Sequence, residues 1–309
     1  MVSVYSVVLV PSRAIPLAYR VVLFAALAAT LLLSPGCLVR RLKIVRPGFK
    51  SSDKLQTATL DQLLARLQTW NQQIQTVTAT VDLEPTLGTV LKGEISQLKD
   101  VRGYVLIRKP NMIRMFGLYP VVRTRAFDMV SNGTDFELFV PVKNKFIVGK
   151  NHLDKPSPRK LENLRPQHIF EALVIAPPEK GERAVLENDT DETNAYYIVH
   201  LLREEGGRLL LTRNIWFDRV RLSIARQEIF DKTGDIVSDS RYNDYNDVRG
   251  VAFPKKISVM RPKDEYGVAL TVLKLQLNET LGDEKFALTP PPGTELLDLS
   301  APKRPAAKM

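Results

Sequence analysis

Apolar residues recur at spacings of three and four between Thr59 and Val77: Leu60, Leu63, Leu64, Leu67, Trp70, Ile74 and Val77. That spacing predicts an amphipathic helix over 59–77 with a single apolar stripe. Thr59 followed by Gln62 fits a capping box and marks its start. From Thr78 the pattern changes to period two and β-branched residues multiply, which predicts strands at 78–84, 89–96, 101–108, 111–118, 122–131, 134–140 and 143–149. The connections are short and carry turn chemistry, as at Lys109-Pro110-Asn111 and Asn132-Gly133, so successive strands are antiparallel neighbours. After a Pro-rich stretch, Pro166 opens a second helix predicted over 166–175, with Ile169, Phe170, Leu173 and Val174 on one side. Strands resume at 195–203, 208–218, 221–230, 235–242, 254–261 and 267–278. In the last of these, Val268, Leu270 and Val272 share one phase, while Leu273, Leu275 and Leu277 take the other. The switch predicts a bulge in a strongly curved sheet. The expected fold is mainly β: an open, incomplete antiparallel β-barrel of about 11–13 strands, with two helices covering its concave apolar face.

Upstream, Val21 to Leu33 is a 13-residue apolar run broken only by Thr30, preceded by Arg13 and Arg20 and by no acid. The run has the length of a signal-peptide core and is short for a spanning helix. It ends in Leu33-Ser34-Pro35-Gly36-Cys37. Small residues before a lone cysteine resemble a bacterial lipobox, which implies cleavage before Cys37 and acylation of its thiol and amine. Two or more acyl chains would anchor the protein stably. The alternative is an uncleaved signal anchor with a buried, inert Cys37. Leu38 is not acidic, which favours the outer over the inner membrane. The expected organisation is therefore a signal peptide at 1–36, a lipidated Cys37 and basic tether at 37–54, a folded domain at 55–297, and a disordered basic tail at 298–309. Arg40, Arg41, Lys43 and Arg46 would place the tether near anionic headgroups, or form a merely solvated linker.

Composition removes several classes of function. With 44 Lys and Arg against 34 Asp and Glu the chain carries a net charge of +10, but the basic residues are dispersed, and behind a signal peptide lipid headgroups suit them better than nucleic acid. One cysteine and three histidines give no disulfide framework and no Cys/His metal set. No nucleophile elbow, zinc-protease, Walker or Rossmann pattern occurs. His152, His168 and His200 fall apart in sequence and read as surface or satisfied histidines. Asp244, Asp247 and Glu265 read as loop carboxylates rather than a glycosidase pair. No catalytic residue, cofactor or metal ion is expected, and the chain is not expected to be an enzyme.

Four phrases in order are similar to the LolA/LolB lipoprotein-carrier superfamily: Gly103 to Asn111, Asp128 to Leu138, Ile229 to Gly234 with Tyr242-Asn243-Asp244-Tyr245 and Phe253-Pro254, and Asp283 to Gly293. The resemblance covers roughly 55–297. It implies an apolar cavity, closed by helices as a lid, that receives the acyl chains of lipoproteins or lipids. The expected partners are those acyl chains, the inner leaflet of the outer membrane, and a soluble periplasmic carrier as deliverer. The protein would be a monomer, lipid-anchored on the periplasmic face of the outer membrane.

The resemblance also implies site residues. The carriers hold their lid with an arginine just before the Pro-Asn turn; here Lys109 stands there, with Arg108 before it, and lysine lacks the planar fork of arginine. The lipidated members carry an exposed apolar loop that engages the membrane; Leu118, Tyr119 and Val121 match that region, or else pack on a neighbouring strand. Expected cavity-lining residues are Leu63, Leu67, Trp70, Leu106, Ile113, Phe127, Met129, Phe170, Leu173, Ile198, Trp216, Ile224 and Leu270, with Tyr104 as a further inward position. A one-residue slip would swap the face of any strand position among them. Because a fold does not fix a function, a second reading stands: a structural or sensing lipoprotein of the same fold, whose interior is filled by its own side chains.

Overall fold

The computed structural model describes residues 54–89, 93–152, 163–191 and 195–300. Cys37, the signal segment, nearly all of the tether and residues 301–309 lie outside the described residues.

Helix α1 (Leu60–Gln73) begins where the capping box places it. Thr59 Oγ1 accepts from the Gln62 amide at 3.3 Å, and the Thr59 amide donates to Gln62 Oε1 at 2.9 Å. It ends earlier than the periodicity predicts, because Ile74 is already extended and Thr76-Val77-Thr78 starts a strand. Ile74 and Val77 are buried either way, so the helix period and the strand's inner face coincide there. One sheet of fifteen strands follows: β1 (Thr76–Thr89), β2 (Glu94–Gln97), β3 (Val101–Arg108), β4 (Met112–Leu118), β5 (Arg125–Ser131), β6 (Asp135–Val140) and β7 (Lys145–Lys150). Then come helix α2 (Pro166–Leu173) and β8 (Glu182–Thr190), β9 (Ala195–Glu205), β10 (Arg208–Asp218), β11 (Ile224–Phe230), β12 (Ile236–Val248), β13 (Val251–Arg261), β14 (Tyr266–Leu277) and β15 (Glu295–Asp298).

The strand order is β15-β7-β6-β5-β4-β3-β1-β14-β13-β12-β11-β10-β9-β8, with β2 attached to the end of β1. The sheet is unclosed, with β15 and β8 as its two edges, and every pairing is antiparallel except β15 with β7. The first and last long strands meet in its middle, since β1 pairs with β14. Thr80 faces Lys274 and Val81 faces Val272, so Leu273 is the extra residue of a bulge, at the position where the apolar phase switches. The two strands the sequence pattern leaves out are the edges. β8 alternates Ala184 and Leu186 inward with Arg183, Val185 and Glu187 outward, and its charge hides its period. β15 lies beyond the prolines of 290–292.

One apolar core fills the concave side. Leu63 and Leu67 from α1 and Ile169, Phe170 and Leu173 from α2 pack into it with inward residues of the strands. The architecture is the expected open half-barrel with two helices on its hollow face.

Candidate functional site

The two helices are held across the concave face by different chemistry. α1 is fastened along its length. Just ahead of its start Gln56 Nε2 donates to the Val220 carbonyl at 2.6 Å, and from its middle Arg66 Nη2 donates to the Arg221 carbonyl at 3.2 Å. At its end Lys109 Nζ donates to the Asn71 carbonyl and, at 2.9 Å, to Asn71 Oδ1, while Asn71 Nδ2 donates to the Ile175 carbonyl at 2.9 Å. Asn278 Nδ2 adds a bond to the Gln73 carbonyl at 2.8 Å. Lys109 thus sits on the last turn of α1, where the helix presents unsatisfied carbonyls. Burial pushes its ammonium below the ordinary lysine range. Trp70, half-buried, stacks on Phe253 at 6.4 Å and its Nε1 donates to the Ala252 carbonyl at 2.7 Å.

Arg108 turns to the other side of the sheet. Its guanidinium donates to the Leu281 carbonyl at 2.8 Å, pairs with Asp283 at 2.5 Å and lies over the Phe286 ring at 5.0 Å. The two adjacent basic residues therefore serve opposite faces: Lys109 holds the helix, and Arg108 holds the segment that leads to β15.

α2 rests on a polar seam. His168 Nδ1 bonds Tyr266 Oη at 2.5 Å, Tyr242 Oη donates to the Ala172 carbonyl at 2.9 Å, and Gln227 Nε2 reaches the Glu171 carbonyl at 3.4 Å. Arg213 closes the far end with bonds to the Ala176 and Pro177 carbonyls at 2.8 and 3.0 Å. Burial, reinforced by Arg261 and Arg165, holds His168 well below the usual histidine range; burial pushes Glu171 up, although it faces Arg261 and Arg213. Gln167 Oε1 and Gln227 Oε1 are buried there without a hydrogen-bond partner among the described residues.

Of the residues expected to line a cavity, Leu63, Leu67, Ile113, Met129, Phe170, Leu173, Ile224 and Leu270 share the concave core, and Trp70 and Phe127 pack against it. Phe127 reaches it over Gly117, where a β-carbon would lie 2.5 Å from its ring. Leu106, Ile198 and Trp216 do not join them. Each sits between two core residues of a regular strand (Val105 and Ile107, Tyr197 and Val199, Ile215 and Phe217), so each points to the convex side. Tyr104 is there too, stacked on Phe116 at 4.8 Å, and Trp216 carries the Arg226 guanidinium at 4.9 Å.

The β4–β5 loop is closed by the Tyr119 amide to the Thr124 carbonyl at 3.0 Å and the Arg123 amide to the Tyr119 carbonyl at 2.9 Å. Tyr119 packs on the core, Leu118 ends β4, and Val121 projects at 92% exposure with Val122 at 66%. Val122 is the residue the sequence reading passed over. Its signal was adjacency: two valines between Pro120 and Arg123.

Two hollows border this framework. One, of about 390 Å³, lies where β12, β13 and β14 end beside α1, and is lined by Val248, Phe253, Val272, Leu273 and Leu275 with Asn246, Asp247, Pro254 and Lys255. The other, of about 320 Å³, lies between β4–β6 and the segment at Phe286–Leu288. Among the described residues no group of His, Cys, Asp and Glu is placed to hold a metal ion, and no helix is long and apolar enough to cross a membrane. His200 bonds Glu187 and Asn214, each at 2.7 Å, on the sheet.

No protein-family model matches the sequence, and no curated protein matches it. Solved structures of similar architecture include a LolA superfamily protein from Nitrosomonas europaea, 14% identical, covering 75% of this chain and 99% of that one at a TM-score of 0.48. A domain described as an outer membrane lipoprotein-sorting protein, from Vibrio parahaemolyticus, is 11% identical over 72% of this chain and 94% of that one, TM-score 0.48. A DUF1329 family protein from Desulfovibrio piger is 14% identical over 73% and 94%, TM-score 0.45. At such identities and TM-scores these likenesses carry no function to this chain.

Proposed function

We propose that this chain binds acyl chains of lipoproteins or lipids on the concave face of its half-barrel, beneath α1 and α2, as a lipid-anchored protein of the bacterial envelope. The observation that carries the reading is the pairing of a continuous apolar face with helices fastened across it by a few polar bonds. Apolar contact between helix and sheet can be exchanged for contact with hydrocarbon at little net cost, because both bury the same surface. The polar fastenings then set how easily the helices lift. Lys109 is the residue we assign to that latch on α1, with Arg108 holding the opposite face. Cys37 is the proposed site of lipid attachment, and the periplasmic face of the outer membrane the proposed location. The loop of Leu118, Tyr119 and Val121 is the proposed contact with the membrane, with exposed Val121 and Val122 as its apolar tip. A soluble carrier is the proposed deliverer of cargo.

One observation favours the second reading, a structural or sensing lipoprotein. Leu63, Leu67, Phe170 and Leu173 are buried in the concave core, so the chain's own side groups occupy it in this state. The test is extraction of the full chain purified from bacterial membranes, followed by mass spectrometry of the non-covalent organic fraction. Stoichiometric acyl species that stay with the folded chain support binding. Their absence from protein that is folded and membrane-attached supports the structural reading.

A further inference from the structure

The two edges of the sheet differ. β15 is four residues long and pairs in parallel with β7. β8 is nine residues long, and all nine pair with β9 without a register shift. Its outer side is open: β8 ends the strand order, and among the described residues 183–190 make no backbone–backbone bond off the β8–β9 ladder. A long, regular, unpaired edge presents alternate N–H and C=O groups to an incoming strand. The side chains it carries decide which strand fits. Its convex row holds Arg183, Val185, Glu187 and Asp189, and its concave row holds Ala184 and Leu186. Val185 is 54% exposed, and Ala184 and Leu186 are only partly covered by the core.

About Val185, the run Arg183-Ala184-Val185-Leu186-Glu187 is complementary to itself. Antiparallel pairing with a second copy, on a two-fold axis through Val185, sets Val185 against Val185, Ala184 against Leu186 and Arg183 against Glu187. Moving the axis to Ala184 or Leu186 keeps each row on its face but sets Val185 against Arg183 or Glu187. The charges within reach support the first register. Arg183 pairs with Glu204 at 3.1 Å and Glu187 with His200 at 2.7 Å, both partners on β9, while Arg219 serves Asn188 and Thr190 on the concave side. Arg183 is exposed and has further N–H donors to offer, so across the joined sheet it would lie between Glu204 of its own chain and Glu187 of the other. Asp189 stands at the diagonal of the same arginine. Burial, with Glu187 and Asp191 beside it, pushes the Asp189 carboxyl above its ordinary range, and a cation there relieves it. The two Glu187 carboxylates would lie four residues apart along the strands, about 14 Å, beyond the Debye length of about 8 Å.

We propose that β8 is a docking edge for a second copy of this chain, joined β8 to β8 in antiparallel register about Val185. The two sheets then become one, with both concave faces open to the same side. The monomer expected from the sequence is one half of that pair. The inference stands apart from the acyl-binding reading: it concerns the rim of the sheet and holds whether the concave face takes a ligand or is filled by its own side chains. One strand pair is a small interface, so the test traps it covalently.

The full chain carrying Val185→Cys is purified, concentrated and oxidised, and linked peptides are mapped by mass spectrometry. Residues directly opposite in an antiparallel pair have Cα atoms about 4.5–5.5 Å apart, within disulfide reach, so a 185–185 link is expected. Glu187→Cys is expected not to link to itself, because its copies lie about 14 Å apart. Mixed chains carrying Arg183→Cys and Glu187→Cys are expected to link to each other, 183 to 187. On the Val185→Cys background, Arg183→Glu sets acid against acid and is expected to lower the yield about fivefold, and adding Glu187→Arg is expected to restore it. All these positions are exposed, and circular dichroism confirms that each variant is folded. In folded protein, a 185–185 yield no greater than the 187–187 yield overturns the proposal, as does a yield indifferent to Arg183→Glu. A 186–186 link from Leu186→Cys that exceeds the 185–185 link overturns the register.

Discussion

α1 and α2 cover the same apolar face but are held by different forces. α1 is a capped helix of 14 residues whose stripe buries Leu63 and Leu67 completely, and its side-chain hydrogen bonds to the rest of the protein come from Arg66 and Trp70 within it as well as from its last turn. α2 has eight residues, no side-chain cap, and a polar seam beneath its middle, where His168, Glu171, Gln167 and Gln227 meet Tyr242, Tyr266 and two arginines. Burial of hydrocarbon is non-directional and indifferent to pH. A buried polar seam is directional, depends on protonation, and costs free energy wherever an acceptor is left unmet. The position of α1 is therefore set by area and that of α2 by geometry and proton occupancy.

The largest effect that separates them is expected at α1. Leu67→Ala removes a fully enclosed side chain and should lower stability by about 2–5 kcal/mol in chemical denaturation. A loss under 1 kcal/mol would mean that α1 is only lightly seated. Next, Tyr266→Phe deletes the partner of His168 and leaves its ring nitrogen buried without one. A loss of about 1–3 kcal/mol is expected, and hydrogen exchange should rise in 166–173 but not in 60–73. Equal acceleration of both helices would show that the covers move as one.

Proton occupancy sharpens the contrast. The folded state holds His168 below its unfolded value, so below about pH 6.5 the unfolded chain binds more protons than the folded one. Stability from this group is complete above that pH and is lost as pH falls, at up to about 1.4 kcal/mol per unit. Glu171 works in the opposite sense: its folded value is raised, so its contribution is present at low pH and is lost as pH rises through that raised value. His168→Asn should flatten the acid limb of the stability profile, and Glu171→Gln should flatten the fall on its other side. An unchanged profile in both variants would remove the titrating seam. Smaller again is Lys109→Met, which deletes two bonds to Asn71. It should cost about 0.5–1.5 kcal/mol and speed exchange in the last turn of α1 alone.

The same contrast explains what could be read from the chain. α1 was legible because its stripe, cap and length agree, and β3 to β7 because tight turns separate them. The bulge at Leu273 was legible as a phase switch. The seam under α2 was not, since Tyr242 and Tyr266 lie 70 and more residues from their helix partners and no local spacing encodes that meeting. Leu106, Ile198 and Trp216 were set on the wrong face for a related reason. In strands with apolar residues at consecutive positions, such as Tyr104-Val105-Leu106-Ile107, alternation does not say which phase is inward, and only the packing of the helices decides it. Lys109 could be singled out by its place before Pro110, but its receptor Asn71 could not.

A substitution outside both covers should separate fold from function. The loop at Val121 and Val122 lies at the far end of β4 from the Lys109 turn, seven residues or roughly 20 Å away. Both valines are exposed, and neither contributes to the core, so Val121→Glu with Val122→Glu should change stability by no more than about 0.5 kcal/mol. Tyr119, which packs inward two residues earlier, should not tolerate the same change. If the loop engages a bilayer, the double variant loses binding to liposomes of mixed zwitterionic and anionic lipid, because two apolar groups are replaced by two carboxylates that also offset the charge of the neighbouring Arg123. Retained binding at full stability would move the membrane contact elsewhere on the surface. Lost stability would make these valines part of the folded framework and would place the end of β4 under the same apolar control as α1.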